Sequence, residues 1–175
     1  MREINYNPLV GSHLPALMDV ALVSSGPIVE LGAGVNSTIF LHWLCWTNSR
    51  KLVTYENDEA FFKYAKLYQA NFHEVHFIRN WDRVDLSGDY SVVLVDTVPE
   101  WPKRRRALER LTHVEYVVVH DTQARKIRCH YSQPTGALYK FHKLYQAGRT
   151  ETTVYSNVHD LSNLGSYREH LREYA

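Results

Sequence analysis

The run Ile28-Val29-Glu30-Leu31-Gly32-Ala33-Gly34-Val35-Asn36-Ser37-Thr38 constrains this chain more than any other stretch. A largely apolar segment suited to a buried strand gives way to a Gly-x-Gly bend, and then to residues able to open a helix. Such a bend permits backbone angles and close approaches that a Cβ would block. A second apolar run, Leu52-Val53-Thr54-Tyr55, ends in Glu56, 22 residues past Gly34. Strand, glycine bend, helix and a second strand with a terminal acid form the layout of a nucleoside-binding α/β unit. In that layout the acid accepts hydrogen bonds from ribose hydroxyls.

The rest of the chain continues the alternation. Leu14, Leu17, Met18 and Ala21 recur at helical spacing within 14–23, with Ser12 as a plausible N-cap and Pro15 in the first turn. The spacing predicts a helix over 37–46, with Phe40, Leu41, Leu44 and Cys45 on one face, and a strand over 51–55. Asn57 or Asp58 then caps a helix carrying Phe61, Tyr64, Ala65 and Tyr68 on one face. Further strands are expected over 74–78, 91–95, 116–119 and 152–156, with a basic helix over 103–111. Residues 138–146 fit a helix and a strand equally well, and 165–175 read as a polar tail. This order predicts an α/β, Rossmann-like, doubly wound and mostly parallel sheet with helices on both faces. One domain over 1–175 is expected, with a core over 12–164.

Composition narrows the partners. A net charge of +1 supplies no global field that would draw the chain to nucleic acid or to a membrane, so neither is expected as a partner. No apolar stretch is long enough to span a bilayer, and the first six residues lack the apolar core of a signal peptide. Cys45 and Cys129 have no metal-type spacing and read as free thiols of a reducing compartment, which makes a cytoplasmic location the expectation. The basic run Lys103-Arg104-Arg105-Arg106 points several ways on a helix and lacks interleaved aromatics apart from Trp101. Arg105 is its candidate for facing a functional rim.

In doubly wound sheets ligands lie beyond the carboxyl ends of the strands. Glu30, Gly32, Gly34, Glu56, Asp96, His120 and Asp121 are therefore expected on one rim. Glu30 can pair with a ligand ammonium or accept hydrogen bonds from nearby backbone N–H groups. Ser37, with Asn36 and Thr38, can cap the helix or hold a carboxylate at its N-terminus. Asn80, Trp81 and Asp82 can recognise an adenine, or serve as turn residues. Asp96, Asp121 and His120 can bind a divalent cation, act as general base, or hold loop backbone in place. His13, just before the first helix, is a candidate to reach the same rim.

These residues resemble class I S-adenosylmethionine (SAM)-dependent methyltransferases. Val29-Glu30-Leu31-Gly32-Ala33-Gly34 is similar to the family's first motif, and Thr54-Tyr55-Glu56-Asn57-Asp58 to its ribose acid. Val93-Leu94-Val95-Asp96 and Val118-Val119-His120-Asp121-Thr122 resemble the ends of its fourth and fifth strands. Ser37-Thr38, His120-Asp121-Thr122 and Thr152-Thr153-Val154-Tyr155-Ser156 resemble a subgroup of small bacterial and phage-type methyltransferase-like proteins. The resemblance implies a seven-stranded sheet whose last strand is antiparallel, with 138–146 as a strand of the final hairpin. It implies SAM as cofactor, held by Glu30, Gly32, Ala33, Gly34, Ser37, Thr38, Glu56, Asn57, Asn80 and Trp81. Asp96, His120 and Asp121 would then serve the methyl acceptor. A metal-dependent branch would place a divalent metal at Asp96 and Asp121, although this chain has His120-Asp121-Thr122 where that branch has Asp-Asn.

Little chain is left for an acceptor-binding domain. Only 1–25 and 123–136 are available as lids, so the acceptor is expected to be small, or the pocket to be completed in a homo-oligomer. Two rival readings remain: a non-catalytic SAM-binding or scaffold module, and a nicotinamide-dependent oxidoreductase. Ser37 at the third fingerprint position speaks against the second.

Overall fold

The computed structural model describes residues 11–98, 103–123, 138–147 and 150–165. In chain order the elements are α1 (Leu14–Leu22), β1 (Ile28–Leu31), α2 (Ser37–Thr47), β2 (Leu52–Glu56), α3 (Glu59–Lys66) and β3 (His73–Phe77). A single 3-10 turn (Trp81–Arg83) leads to β4 (Val92–Val95), α4 (Lys103–Arg110), β5 (Tyr116–His120), β6 (Phe141–Ala147) and β7 (Thr150–Ser156).

The strands form one seven-stranded sheet in the order β3-β2-β1-β4-β5-β7-β6. β7 runs antiparallel to both of its neighbours, while the pairs from β3 through β5 are parallel. The unbroken apolar runs occupy the middle: Val92–Val95 and Val117, Val118 and Val119 are wholly buried, as strands covered on both faces require. The pattern of residues 138–146 fits a helix and a strand equally well, and the structure makes a strand of Phe141–Ala147. It pairs along its whole length with β7, from Phe141 opposite Ser156 to Ala147 opposite Thr150.

Two apolar layers flank the sheet. On one face Ala16, Leu17 and Val20 of α1 and Leu41 and Cys45 of α2 pack against Ile28, Leu52, Leu94 and Val118. On the other, Leu108 and Leu111 together with Trp81 pack against Val29, Leu31, Val93 and Val119. Asp58 caps α3 as expected, accepting from the N–H groups of Ala60 and Phe61. The expected α3 face is only partly buried: Ala65 faces inward, whereas Phe61 is 44% exposed. The first helix differs as well. His13, not Ser12, occupies its N-cap position, without a side-chain capping bond. β3 begins at His73, one residue earlier than expected. Of the expected tail only Gly165 lies within the described residues.

The strand order reverses between β1 and β4, the place where a doubly wound sheet opens a crevice. Asp96 N–H donates to Leu31 O at 2.8 Å across that boundary, and Gly32 N–H donates to Tyr55 O at 2.9 Å on the other side. Gly32 has φ +97°, and a Cβ there would lie 2.3 Å from the Asp96 carbonyl oxygen. The glycine requirement at this position is thus imposed by the neighbouring strand end rather than by a ligand. At Gly34 a Cβ would meet only Ser37 Oγ, at 3.0 Å.

The two glycines are therefore expected to part company. Gly32→Ala should destabilise the fold by about 1–3 kcal/mol or more from backbone strain alone. Gly34→Ala should stay within about 0.5 kcal/mol of the parent. Urea unfolding midpoints measure both, and equal losses at the two positions would contradict the assignment.

Candidate active site

Beyond the crevice lies a cavity of about 650 Å³, bordered by the glycine bend, the start of α3 and the ends of β4 and β5. Gly34, Asn36 and Glu56 form one wall, and Asp96, Arg104 and His120 the opposite one. Glu56 is almost wholly buried at the end of β2. Its Oε2 accepts from Ala33 N–H at 2.6 Å, and its Oε1 from Asn57 N–H and Asp58 N–H at 2.6 Å each. Burial pushes this carboxyl above its ordinary value, and the three N–H donors act against that rise. A carboxylate has about four lone-pair directions, so acceptor capacity is left for a ligand. The bend and the β2–α3 junction are thus clamped together by one acid.

Glu30 lies below the bend and does not reach the cavity: its exposure is zero. Its hydrogen-bond donors are side-chain hydroxyls rather than backbone N–H groups. It accepts from Thr38 Oγ1 at 3.0 and 2.9 Å and from Thr54 Oγ1 at 2.8 Å. Burial raises its carboxyl to about 7 against the opposing hydroxyls of Ser37, Thr54 and Thr38. Thr38 Oγ1 in turn accepts from Gly34 N–H at 3.0 Å. Ser37 is buried, and Asn36 makes no side-chain capping bond although it borders the cavity.

The opposite wall is a charge cluster. Arg104 is 2% exposed, and its Nη2 donates to Asp96 Oδ1 at 2.7 Å. Its Nε donates to Thr97 O at 3.1 Å, and its Nη1 donates to the His120 carbonyl and stands 3.9 Å from Asp121 Oδ2. His120 Nδ1 is 3.2 Å from Asp96 Oδ1, and His120 Nε2 is 2.8 Å from Ser12 Oγ. Burial alone would raise Asp96, but the His120 hydrogen bond and the Arg104 charge outweigh it and hold the carboxyl at about 2. His13 does reach the rim. Its ring centroid is 4.8 Å from that of His120, and neither ring nitrogen has a hydrogen-bond partner. Burial, followed by the nearby His120, lowers His13 to about 4, so its ring is neutral at pH 7.

Arg104 stands between the two residues expected to hold a metal. A guanidinium bridges Asp96 and Asp121 and offsets one of their two charges. His13, Asp96 and His120 do bring ligand-type atoms within 4.8 Å of one another, and the Asp96 carboxylate is also bound by Arg104. Asp121 sits in left-handed backbone at φ 58°.

Two further expectations change. Trp81 is buried in the core beneath the 3-10 turn, with its Nε1 donating to Val98 O, so its ring cannot face an adenine in the cavity. Asn80 acts as a turn residue, accepting from Asp82 N–H at 3.1 Å. The aromatic that does border the cavity is Phe61. Asn57 ties the rim together by donating from Nδ2 to Val98 O at 3.0 Å. Arg105 pairs with Glu109 on the outer surface, so the inward arginine is Arg104. The sequence held a signal for it. Arg104, Ala107, Leu108 and Leu111 recur at i, i+3, i+4 and i+7, so Arg104 lies on the apolar stripe of α4.

No family model matches this chain, and no curated protein matches its sequence. Its fold is nevertheless widely shared among solved structures. Human methyltransferase-like protein 13, in complex with S-adenosylhomocysteine (SAH), superposes with a TM-score of 0.63 at 12% identity over 92% of this chain and 87% of that one. A Klebsiella pneumoniae protein assigned as an O-methyltransferase gives 0.61 at 12% identity, over 90% and 84%. A Streptococcus pneumoniae protein assigned as a tRNA (m1A22) methyltransferase, bound to SAM, gives 0.56 at 13% identity, over 90% and 85%. The chain has the class I methyltransferase fold. These neighbours differ in what their names say they methylate, so the fold does not select the acceptor.

Removal of the buried cation tests the cluster. Arg104→Met should cost about 3–5 kcal/mol at pH 7, because it leaves the charged Asp96 without its cation and with only the His120 hydrogen bond. In the parent, the depressed Asp96 carboxyl contributes stability at pH values above its ordinary 3.8, and this is lost as the pH falls toward 2. The variant should keep only the part of that acid-side loss that His120 supplies. Urea unfolding at pH 7 and pH 3 measures both effects, and an unchanged midpoint at pH 7 would contradict the bridging role.

Proposed function

We propose that the protein is a SAM-dependent methyltransferase acting on the hydroxyl of a small acceptor. The observation that carries this reading is the single cavity that joins a Gly34–Glu56 wall suited to a nucleoside to a His120–Asp96 pair suited to deprotonation. The wall fits the cofactor. Gly34 lines the cavity without a side chain, Glu56 retains acceptor capacity, and Phe61 offers an apolar ring face at the cavity edge. The N-terminal end of α2 borders the same space and favours a carboxylate.

When bound, SAM supplies an electrophilic sulfonium methyl, and the chain's own residues bind, orient and move a proton. Glu56 accepts the ribose hydroxyls. His120 holds its Nδ1 proton toward Asp96, which leaves Nε2 as a base. Ser12 Oγ, 2.8 Å from Nε2, donates to it, so an acceptor hydroxyl gives its proton to Nε2 through the Ser12 hydroxyl or in its place. Asp96, kept ionised beside Arg104, stabilises the imidazolium that forms. His13 is neutral at pH 7 and offers a polar edge to the same acceptor without adding charge. No step is assigned to a metal.

Two variants separate binding from chemistry. His120→Ala should lower SAH production from a panel of hydroxyl acceptors by about 100-fold or more. Its SAH affinity should remain within about twofold of the parent. Glu56→Ala, confirmed as folded by circular dichroism, should weaken SAH binding by about 1.5–3 kcal/mol for each charged hydrogen bond lost. Calorimetry and a SAH-release assay measure these effects. SAH binding without turnover on any acceptor would favour the non-catalytic module, and unchanged affinity in Glu56→Ala would remove that acid from the site.

A further inference from the structure

A line of hydrogen bonds runs under the glycine bend from the flank of α2 to the sheet. His42 Nδ1 is 3.1 Å from His73 Nδ1, and His73 Nε2 is 2.9 Å from Thr54 Oγ1. Thr54 Oγ1 donates to Glu30 Oε2 at 2.8 Å, Thr38 Oγ1 donates to both oxygens of Glu30, and Gly34 N–H donates to Thr38 Oγ1. His73, Thr54, Glu30 and Thr38 all have zero exposure, whereas His42 is only half-buried. The line therefore joins a group near solvent to the bend that borders the cavity.

The donors have a direction. Thr54 gives its proton to Glu30, so its oxygen accepts from His73 Nε2–H. That leaves His73 Nδ1 as acceptor for His42 Nδ1–H. Thr38 also gives its proton to Glu30, so its oxygen accepts from Gly34. Every hydrogen along the line points toward the carboxylate, the arrangement an ionised Glu30 requires. A proton taken up at His42 Nε2 can pass inward: Nδ1–H to His73 Nδ1, Nε2–H to Thr54 Oγ1, and the threonine proton to Glu30 Oε2. Each histidine ends with one proton, Glu30 ends neutral, and the hydrogen bonds between His42 and Glu30 reverse direction without breaking the line. Thr38 then donates to an uncharged acid, and a charge-assisted hydrogen bond is roughly twice as strong as a neutral one.

We propose that Glu30 is a positioning residue of the bend that exchanges its proton with solvent through Thr54, His73 and His42, and that its ionised form fixes Gly34 through Thr38. The proposal rests on reading the bend as the cofactor's seat. With its carboxyl raised to about 7, Glu30 populates both forms near neutrality. Burial, followed by the neighbouring His42, lowers His73 to about 4, so this ring passes the proton on rather than storing it. The other groups facing this acid are few. Asp96 at the end of β4 raises Glu30. Cys45 on α2 is a buried thiol pushed up to about 11, and Tyr64 on α3 is raised to about 12, so both stay uncharged. α1 packs on this face with Ala16, Leu17 and Val20, while its Asp19 accepts from Tyr145. Burial lowers His42 as well, and the Tyr68 carbonyl opposes the fall in both rings.

The test needs no ligand. In ¹H–¹⁵N spectra of the full chain from pH 5.5 to 8.5, the Gly34 amide should follow a titration with its midpoint near 7, matched by the Glu30 side-chain carboxyl carbon. In Glu30→Gln the Gly34 amide should stay flat. In Thr38→Val the carboxyl carbon should still titrate while Gly34 no longer follows it. A flat Gly34 in the parent, or a Gly34 titration that persists in Glu30→Gln, overturns the proposal. If Glu30→Gln fails to fold, the parent carboxyl carbon still decides, because a midpoint near 4.5 contradicts the relay. In calorimetry, SAH should bind the parent several-fold more tightly at pH 8 than at pH 6. Absence of SAH binding at every pH would defeat the cofactor reading and leave the Gly34 result to judge this one.

Discussion

The close passage of Gly32 against the Asp96 backbone is the constraint on which the rest of the site depends. Only a residue without a Cβ, in left-handed backbone, lets the end of β1 lie against the end of β4. That contact sits where the strand order reverses, and it sets the glycine bend beside the acidic end of β4. The cavity is therefore walled on one side by the bend and Glu56 and on the other by Asp96, Arg104 and His120. A larger residue at 32 would push the two walls apart, whatever ligand the cavity takes.

Charge around the cavity is arranged so that each acid has a different task. Asp96 is kept ionised by His120 and Arg104. Glu56 is held among backbone N–H donors and clamps the bend. Glu30 is buried among hydroxyls, and burial raises it to about 7. Environment alone produces this spread, because all three are ordinary carboxylates at strand ends or in strand interiors. The buried guanidinium of Arg104 also lies against both neighbouring acids, Asp96 and Asp121.

Most of the scaffold was legible in the sequence because a parallel sheet writes itself as unbroken apolar runs. Val92–Val95 and the valines of β5 could hardly be anything else, and Glu56 was found by its distance from Gly34. Side-chain direction was harder to read. Glu30 reads as a rim acid because it lies two residues before Gly32, yet strand alternation turns it under the bend toward Thr38 and Thr54. Trp81 follows a strand end, as a ligand-binding aromatic would, but its ring completes the core. Arg104 was hidden in a run of four basic residues and distinguished only by its place on the stripe with Ala107, Leu108 and Leu111. Ser12 had no sequence signal for its role: its contact with His120 joins residues 108 apart.

The central claim is that the cavity between the glycine bend and the charge cluster seats an adenosyl amino acid. A crystal structure of the protein grown with SAH tests it most directly. The account predicts the ribose hydroxyls on Glu56, the backbone of the bend against the ligand, and the sulfur directed toward His120. SAH bound elsewhere on the protein, or crystals that retain an empty cavity at saturating SAH, would contradict it.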